Sequence, residues 1–400
     1  MVDRLRGTRN PPVPGSRPGG PTKFPTACFI NAESPFLRAQ QENSILDFSH
    51  DLTKSHQLKM EIIMKIILSA ATSVLFCSMV YAQSVFVGPH NFVRAESDRY
   101  MNDLLARGEL GSILHRRQPT DLENQTVIRM NLDTLYSSGV FDMEAGSVTI
   151  TLPEAPDGRY VSAQVISQDS YTVNIYHVGS HTFTIDDVGT RYAVVIIRIF
   201  ADSSDADDIA YANGLQDLVS TKQASQGEFI IPDYDTESLD ATRIALLRLG
   251  ALSRGNLGPF AGKRNEVDPV AQLIVSATGW GALPRSEAAY FGGSPLPGNE
   301  DKPHELVLSD VPANAFWSVT IYNARGFMVP NALIGVSALN NVNAAPREDG
   351  SYRIQLGGCS ETMVNCIPTP EGWNYVIRAY QPSEAISSGD WQAPTASPIE

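Results

Sequence analysis

The sequence predicts a mainly β protein. We expect two jelly-roll-like or sandwich-like antiparallel modules, joined by a helical connector and preceded by one helix. From Thr126, and again from His304, short runs of β-branched and aromatic residues are interrupted by Gly, Pro and Asp-Gly. Such punctuation is typical of antiparallel sandwiches and barrels. Between these regions the apolar residues recur at helical spacing.

The elements can be assigned in order along the chain. Residues 91–108 have helical periodicity and end in glycine, so they form a helix. The first strand region contains TVIRMNLDTLYSSGVF, GSVTITLP, GRYVSAQVIS, SYTVNIYHVG, HTFTI and RYAVVIIRIF. Three helical stretches follow, opening with Ser/Asp caps or with proline: DSSDADDIAYANGLQDLVSTKQ, LDATRIALLRLGAL and DPVAQLIVSATGWG. The second strand region contains HELVLSDV, AFWSVTIYN, SYRIQL and NYVIRAYQP.

These elements give a domain plan. We expect a disordered or mis-annotated extension, a signal peptide, an N-terminal β module, a helical connector and a C-terminal β module. Their boundaries are 1–63, 64–82, 83–203, 204–290 and 291–400.

The two β regions resemble each other. In both, a strand, a proline turn and an aromatic residue are followed two places later by serine. The aligned pairs are Pro156 and Pro312, Tyr160 and Phe316, Ser162 and Ser318, Tyr171 and Phe327, and Asn174 and Asn331. A genuine repeat predicts two similar modules with a groove between them.

Residues 64–82 have the features of a secretory signal peptide. Lys65 precedes an apolar run that ends in Val80-Tyr81-Ala82, and we expect cleavage after Ala82. The composition of the 63 residues before Met64 predicts disorder, so a misplaced start codon is favoured over an extension around an internal membrane anchor. A periplasmic or secreted protein without a stable membrane anchor is expected.

Charge and cysteine content support export and exclude some partners. Residues 83–400 carry 21 Lys and Arg against 38 Asp and Glu, a balance that argues against nucleic-acid binding. Only Cys359 and Cys366 remain beyond the signal peptide, and they predict one disulfide.

The strand in MNLDTLYSSGVFDME (130–144) is unusually polar. Alternation places Asn131, Asp133 and Ser137 on one face and Thr134 and Tyr136 on the other. These side chains either line a pocket or satisfy neighbouring turns and a packed tyrosine.

Two later strands offer further candidates. Alternation in AFWSVTIYN puts Trp317 on a core-like face and Tyr322, with Phe316, Ser318 and Thr320, on a cavity-like face. In NYVIRAYQP, Arg378 is suited to fork onto a carboxylate, either a ligand's or that of Asp133.

Several kinds of site find no support in the sequence. It contains no Gly-x-Ser-x-Gly elbow, no His-Glu-x-x-His and no Gly-rich phosphate loop, so neither a cofactor nor a metal is predicted. His177 and His181 would share a strand face, but a surface hairpin is favoured over a metal site because no third ligand is evident.

The quoted motifs carry a resemblance to a known domain pair. NLDTLYSSGVFDME with LPEAPDGRYVSAQVISQDSYTVNIYHVG resembles domain of unknown function 1254 of exported bacterial proteins. DPVAQLIVSATGWGALPRSEAAY, VPANAFWSVTIYNARGFMVPN and NYVIRAYQPSE resemble its usual partner, domain of unknown function 1214. The resemblance implies a jelly-roll-like β architecture and a shared pocket formed by Asn131, Asp133, Thr134, Tyr136, Ser137, Trp317, Tyr322, Asn331 and Arg378.

Two functions remain open at this stage. The favoured one is an envelope module, as a monomer or a homo-oligomer, that binds a small hydrophobic or sugar-like ligand through Asn131, Thr134, Trp317, Tyr322 and Asn331. The alternative is a secreted hydrolase of small esters or amides. There Asp133 or Tyr136 would orient Ser137 or a water as the nucleophile, and Arg378 would stabilise an anion.

Overall fold

The computed structural model describes residues 60, 84–125, 128–253, 257–330 and 337–400. The predictions for the extension, for the signal peptide and for Asn331 lie outside these residues. The chain from Ala82 to Glu400 forms one compact unit. No helix of the described part is long and apolar enough to cross a membrane.

Six α-helices form within the described residues, and aspartates cap three of them. Asp205, Asp235 and Asp268 each accept hydrogen bonds from backbone N–H groups of the first turn, and the third of these helices opens with a proline as expected. The helices are α1 Phe92–Leu105, α2 Ile185–Val188, α3 Ala206–Asp217, α4 Thr236–Leu252, α5 Pro269–Thr278 and α6 Glu384–Ser388, and a 3-10 turn spans Met143–Ala145.

Sixteen strands make up the sheets of the described chain. Eight precede α4: β1 Leu114–His115, β2 Thr134–Asp142, β3 Val148–Leu152, β4 Val161–Ser167, β5 Thr172–Tyr176, β6 Gly179–Phe183, β7 Tyr192–Phe200 and β8 Ser220–Gln223. Eight follow α5: β9 Ala288–Gly293, β10 His304–Leu308, β11 Ala313–Tyr322, β12 Ala338–Asn340, β13 Tyr352–Leu356, β14 Cys366–Ile367, β15 Asn374–Pro382 and β16 Ser397–Pro398.

The N-terminal module consists of two layers. A five-stranded sheet has the order β1-β2-β7-β4-β5, and a three-stranded sheet has the order β6-β3-β8. Both contribute to one apolar core, in which Leu135 and Val195 of the larger sheet meet Ile150 of the smaller. Burial of this shared face holds the layers together.

The C-terminal module repeats the arrangement. One sheet has the order β12-β11-β15-β9 and the other β14-β13-β10-β16. Their common core includes Trp317 and Ile377 from the first sheet and Ile354 from the second. All pairings within these sheets are antiparallel except that of β13 with β14.

The topology confirms the internal repeat. The order β2-β7-β4-β5 matches β9-β15-β11-β12, and β6-β3-β8 matches β13-β10-β16, with every strand in the same sequential order. Ser162 lies opposite Arg198 in the first module, as Ser318 lies opposite Arg378 in the second. The pairing of these two serines in the sequence alignment is therefore correct.

The mainly antiparallel β fold is confirmed, and no sheet of the described residues closes into a barrel. Cys359 and Cys366 form the expected disulfide between β13 and β14. The jelly-roll description and the domain boundaries stay predictions.

Candidate functional site

A cavity of about 600 Å³ lies between the two modules. Its walls come from β2 and β7 of the N-terminal sheet, from β9 and β15 of the C-terminal sheet, and from α1, α5 and the segment that follows α5. The volume falls in the range of roughly 300–1,000 Å³ usual for small-molecule sites.

Strand alternation creates this cavity. Along β7, Val195 and Ile197 enter the module core, whereas Ile196 and Arg198 face the cavity. Along β15, Tyr375 and Ile377 enter the second core, whereas Val376, Arg378 and Tyr380 face the cavity. Each module thus uses one sheet face for its core and the other for the shared site.

The cavity is cationic although the chain as a whole carries a net charge of −14. Six arginines line it: Arg99, Arg107, Arg116, Arg129, Arg198 and Arg378. Asp103 is the single carboxylate among the described lining residues, and it is bound to Arg99 at 2.9 Å. The remaining five arginines form no ion pair within 4.0 Å to any described residue.

Arg198 is one of two deeply buried arginines among these unpaired cations. Its side chain is 5% exposed, and it donates hydrogen bonds to Gln164 Oε1 at 2.9 Å and to the Gly281 carbonyl at 2.8 Å. The guanidinium also lies 5.4 Å from the centre of the Tyr136 ring. Neutral acceptors satisfy part of its hydrogen-bonding capacity but do not neutralise its charge.

Arg378 is held in a similar way on the opposite wall. It is 3% exposed and donates to Thr320 Oγ1 at 2.8 Å, to Tyr322 Oη at 2.6 Å and to the Arg129 carbonyl at 3.0 Å. Asp133 is close enough to interact with it electrostatically but forms no ion pair within 4.0 Å. Burial raises the pKa of Asp133, although Arg378 and the bond from Ser318 act in the opposite direction.

Like charges lie close together in two places. Burial and the neighbouring Arg107 lower the pKa of Arg116 below its usual range. Partial burial and the nearby Arg378 lower the pKa of Arg129, although Tyr322 raises it in part. Arg129 also has a left-handed backbone, with φ of 57°, a conformation that costs a residue with a side chain about 1 kcal/mol. An anion between these side chains would relieve both repulsions.

Hydroxyl groups link the two walls through Asn131. Its Nδ2 donates to Tyr136 Oη at 2.9 Å and to Tyr380 Oη at 3.0 Å. Thr134 Oγ1 donates to Asn131 Oδ1 at 3.4 Å, and the Asp133 N–H donates to the same atom at 3.2 Å. The polar strand that stood out in the sequence therefore joins the modules as well as lining the cavity.

The sequence-predicted site residues fall into three groups. Asn131, Tyr136 and Arg378 line the cavity. Asp133, Thr134 and Tyr322 lie behind them and form hydrogen bonds at the module boundary. Ser137 and Trp317 lie away from the cavity: Trp317 is in the C-terminal core against Tyr352.

Ser137 has a partner that the sequence did not indicate. Its hydroxyl lies 2.8 Å from His115 Nδ1, because β1 pairs with β2 in the register that sets these residues opposite each other. Gln216 Nε2 also donates to Ser137 Oγ at 3.0 Å. Burial lowers the pKa of His115. This buried group faces α3, and none of its three members lines the cavity.

Sequence reasoning missed most of the cationic residues. Arg198 interrupts the apolar run RYAVVIIRIF, and a lone charge in a buried strand is a signal that could have found it. Arg107 and Arg116 lie beside α1 and β1, in a segment without a motif. Their place at the cavity depends on the pairing of β1 with β2.

The described residues contain no group of three or more metal-ligating side chains. His177 and His181 do not converge: His177 Nε2 lies 3.5 Å from Glu287, and His181 Nε2 lies 3.1 Å from the carbonyls of His177 and Val178.

Comparison with family models assigns both modules. Residues 110–196 match the family model DUF1254, and residues 290–384 match the family model DUF1214. Both models are described as protein of unknown function. The chain thus contains a segment similar to DUF1254 followed by a segment similar to DUF1214. The order is the one that the sequence motifs indicated, and the cavity has Tyr136 from the first match and Tyr290 and Arg378 from the second.

A solved structure shares the fold of this chain. The VPA0106 protein from Vibrio parahaemolyticus is 17% identical with a TM-score of 0.55, over 78% of this chain and 98% of its own. An uncharacterised protein from Burkholderia cenocepacia is less similar, at 11% identity and a TM-score of 0.46, over 78% and 87%. No curated protein matches the chain.

Proposed function

We propose that this protein binds a small organic anion with an apolar body in the cavity between its two modules. The observation that carries the proposal is Arg198, a 5% exposed cation that lines the cavity without a described carboxylate within 4.0 Å. A buried charge without a counterion is costly, because the interior replaces its hydration only in part. A bound anion removes that cost.

The remaining lining suits the rest of such a ligand. Ile196, Val275, Trp280, Leu283 and Val376 present apolar surface beside the arginines. Arginine binds carboxylates and phosphates with a forked pair of hydrogen bonds, while apolar contact supplies affinity for the body of the ligand. The sequence led us to expect a hydrophobic or sugar-like ligand, and the arginines of the cavity favour a ligand that also carries an acidic group.

The hydrolase alternative finds less support in the same geometry. Tyr136 and Arg378 line the cavity, but Asp133 lies behind it and is bound to Ser318. Ser137 is 1% exposed and bound to His115 and Gln216, so a ligand in the cavity does not reach it. The four residues do not converge on one reacting centre as a catalytic site requires.

A ligand screen by thermal shift tests the proposal. Octanoate, phenyl phosphate and octyl sulfate should raise the melting temperature of the purified protein, because they bind only the folded state. Octanamide and octyl glucoside, which lack a charge, should not. Equal shifts with octanoate and octanamide would contradict the proposal.

Neighbouring arginines provide a matched control. Arg116→Gln removes a charge from the cavity wall, whereas Arg117→Gln removes one that pairs with Asp217 and does not line the cavity. The first should weaken octanoate binding about tenfold, and the second should leave it unchanged. Equal affinity in both variants would show that Arg116 does not contact the anion.

We also propose that the protein is exported. The support is the signal-like segment 64–82 and the disulfide between Cys359 and Cys366, a bond that persists in oxidising compartments. Expression of the full chain in a Gram-negative host, followed by fractionation and mass spectrometry, should recover periplasmic protein beginning at Gln83. Full-length protein confined to the cytosol would argue against export.

A further inference from the structure

The internal repeat extends to the residues of the cavity. In each module a central strand carries a buried arginine, one neighbouring strand carries a tyrosine opposite it, and the other carries a serine. The equivalent residues are Tyr136 and Tyr290, Arg198 and Arg378, and Ser162 and Ser318. Both arginines and both tyrosines line the same cavity, on opposite walls.

An acidic residue also recurs at one position in each repeat. Asp133 precedes Tyr136 by three residues, as Glu287 precedes Tyr290. The carbonyl of each acid accepts a hydrogen bond from the residue three places after the arginine, Ala201 N–H in one module and Gln381 N–H in the other. The repeat therefore reproduces local backbone geometry, not only strand order.

The two acids bind groups across the module boundary rather than their own arginines. Ser318 Oγ donates to Asp133 at 2.7 Å, and Tyr160 Oη donates to Glu287 at 2.6 Å. Neither Arg198 nor Arg378 has a described carboxylate within 4.0 Å. Each wall thus presents one buried guanidinium that still needs an anion.

We propose, on the basis of the function proposed above, that the ligand is a dicarboxylic acid whose two carboxylates bind Arg198 and Arg378. A monoacid neutralises one of the equivalent arginines and leaves the other unpaired, whereas a diacid neutralises both. The apolar surface between the two walls, which includes Ile196, Trp280 and Leu283, contacts the middle of the molecule. Arg107 and Arg129 are exposed at the cavity and attract the dianion during approach.

Calorimetric titration of the purified full chain with matched acids tests this proposal. The series runs over the aliphatic diacids from succinate to sebacate, each beside the monoacid of equal chain length, with terephthalate beside benzoate. At least one diacid should bind tenfold or more tightly than its monoacid, because a second charged, hydrogen-bonded contact is added.

Single substitutions test the role of each wall. Arg198→Gln and Arg378→Gln should each lower the affinity for that diacid to the level of the monoacid, while Arg117→Gln has no effect. Circular dichroism and the melting temperature establish that each variant is folded. Should a glutamine variant not fold, Arg198→Lys and Arg378→Lys keep the charge but not the fork, and should weaken the diacid about tenfold.

The outcomes separate this inference from the function on which it rests. One contrary result is equal affinity for diacids and monoacids, with both kinds of acid no longer binding to one of the two arginine variants. This result would refute the dicarboxylate ligand but would leave a single anion site in the cavity. If phenyl phosphate binds more tightly than every diacid and its binding depends on one arginine alone, the dicarboxylate ligand is likewise refuted and a single anion site is kept. Absence of binding by every acid in the series and by phenyl phosphate would overturn both proposals.

Discussion

Asp133 of the N-terminal module accepts a hydrogen bond from Ser318 of the C-terminal module at 2.7 Å, across 185 positions of sequence. Asp133 is 1% exposed and Ser318 is fully buried. The bond ties the residue that precedes β2 to β11, directly behind the cavity wall that Asn131 and Arg378 form. A carboxylate in this setting couples the module junction to pH.

The first prediction concerns that coupling. Because burial raises the pKa of Asp133, the folded state holds a proton that the unfolded chain releases above about pH 3.9. Stability therefore falls as pH rises from the unfolded pKa towards the folded one, by about 1.4 kcal/mol for each pH unit between those two values. In urea unfolding, the free energy of unfolding of Asp133→Asn minus that of wild type should increase as pH rises from 4 to 8.

Asp142, the last residue of β2, provides a control of opposite sign. Although burial raises its pKa, bonds from Arg191 and from the N–H groups of Glu228 and Glu144 outweigh this and lower it. Asp142→Asn should therefore lose stability at pH 7 and progressively less as pH falls below 4. A difference between Asp133→Asn and wild type that does not change with pH would refute the expected burial effect.

The second prediction concerns His177 and Glu287. The bond to Glu287 raises the pKa of His177 in the folded protein, despite partial burial. The stabilisation is fully present below the unfolded pKa of about 6.5 and is lost as pH rises through the folded value. His177→Gln should thus lower the free energy of unfolding at pH 5.5 and leave it nearly unchanged at pH 9.

A double substitution isolates this pair. In a Glu287→Gln background, His177→Gln should have the same effect at both pH values, since the carboxylate partner is gone. Persistent pH dependence in that background would assign the raised pKa to another group.

The third prediction is a trade-off between stability and binding at Arg116. This half-buried cation has no described side-chain partner and lies near Arg107. Arg116→Met should stabilise the ligand-free protein by about 0.5–1 kcal/mol at low salt, because it removes desolvation and repulsion. The gain should shrink at 0.5 M salt, and octanoate binding should weaken. Destabilisation at low salt would mean that an unrecognised anion partner is present.

The fourth prediction concerns the disulfide between Cys359 and Cys366, whose separation is seven residues. Replacement of both cysteines by alanine should cost about 2.5 kcal/mol, from the closure entropy of this loop in the unfolded chain. Urea unfolding of wild type in reducing buffer should shift to match the variant, which itself should not respond to the reductant. Binding of octanoate should be unaffected, since neither cysteine lines the cavity. Unchanged unfolding of the wild type under complete reduction would contradict the loop-entropy argument.

Alternation and local motifs predicted the strands, the repeat and part of the site. On β11 the expected core face is observed, because Trp317 and Ile321 enter the core. The face expected to line a cavity instead meets the module boundary behind the cavity wall, through Ser318 and Tyr322. Arg378 was predicted because it lies on a strand whose alternation separates the core face from the cavity face. Alternation is informative here because a period of two fixes which side chains of a strand share a face.

The remaining part depends on contacts between segments distant in sequence. Alternation placed Ser137 on the same strand face as Asp133, but it could not show that the pairing of β1 with β2 gives Ser137 a bond to His115. The cationic character of the site arises from arginines on α1, on both modules and in the segment near β1. No local pattern reports that such side chains meet, because the packing of the two sheets brings them together.

Asp133 and Glu287 occupy equivalent positions in the two repeats, and each accepts a hydrogen bond from a residue of the other module. The two repeats therefore contact each other in a reciprocal way around the shared cavity. Because each repeat has its own sequence, a substitution in one wall leaves the other wall unchanged. Ser162 and Ser318 already differ in this way: Ser318 holds Asp133, whereas the Ser162 hydroxyl has no hydrogen-bond partner within the described chain. Two similar modules in one chain can thus keep an arginine on each wall while the residues around each arginine differ.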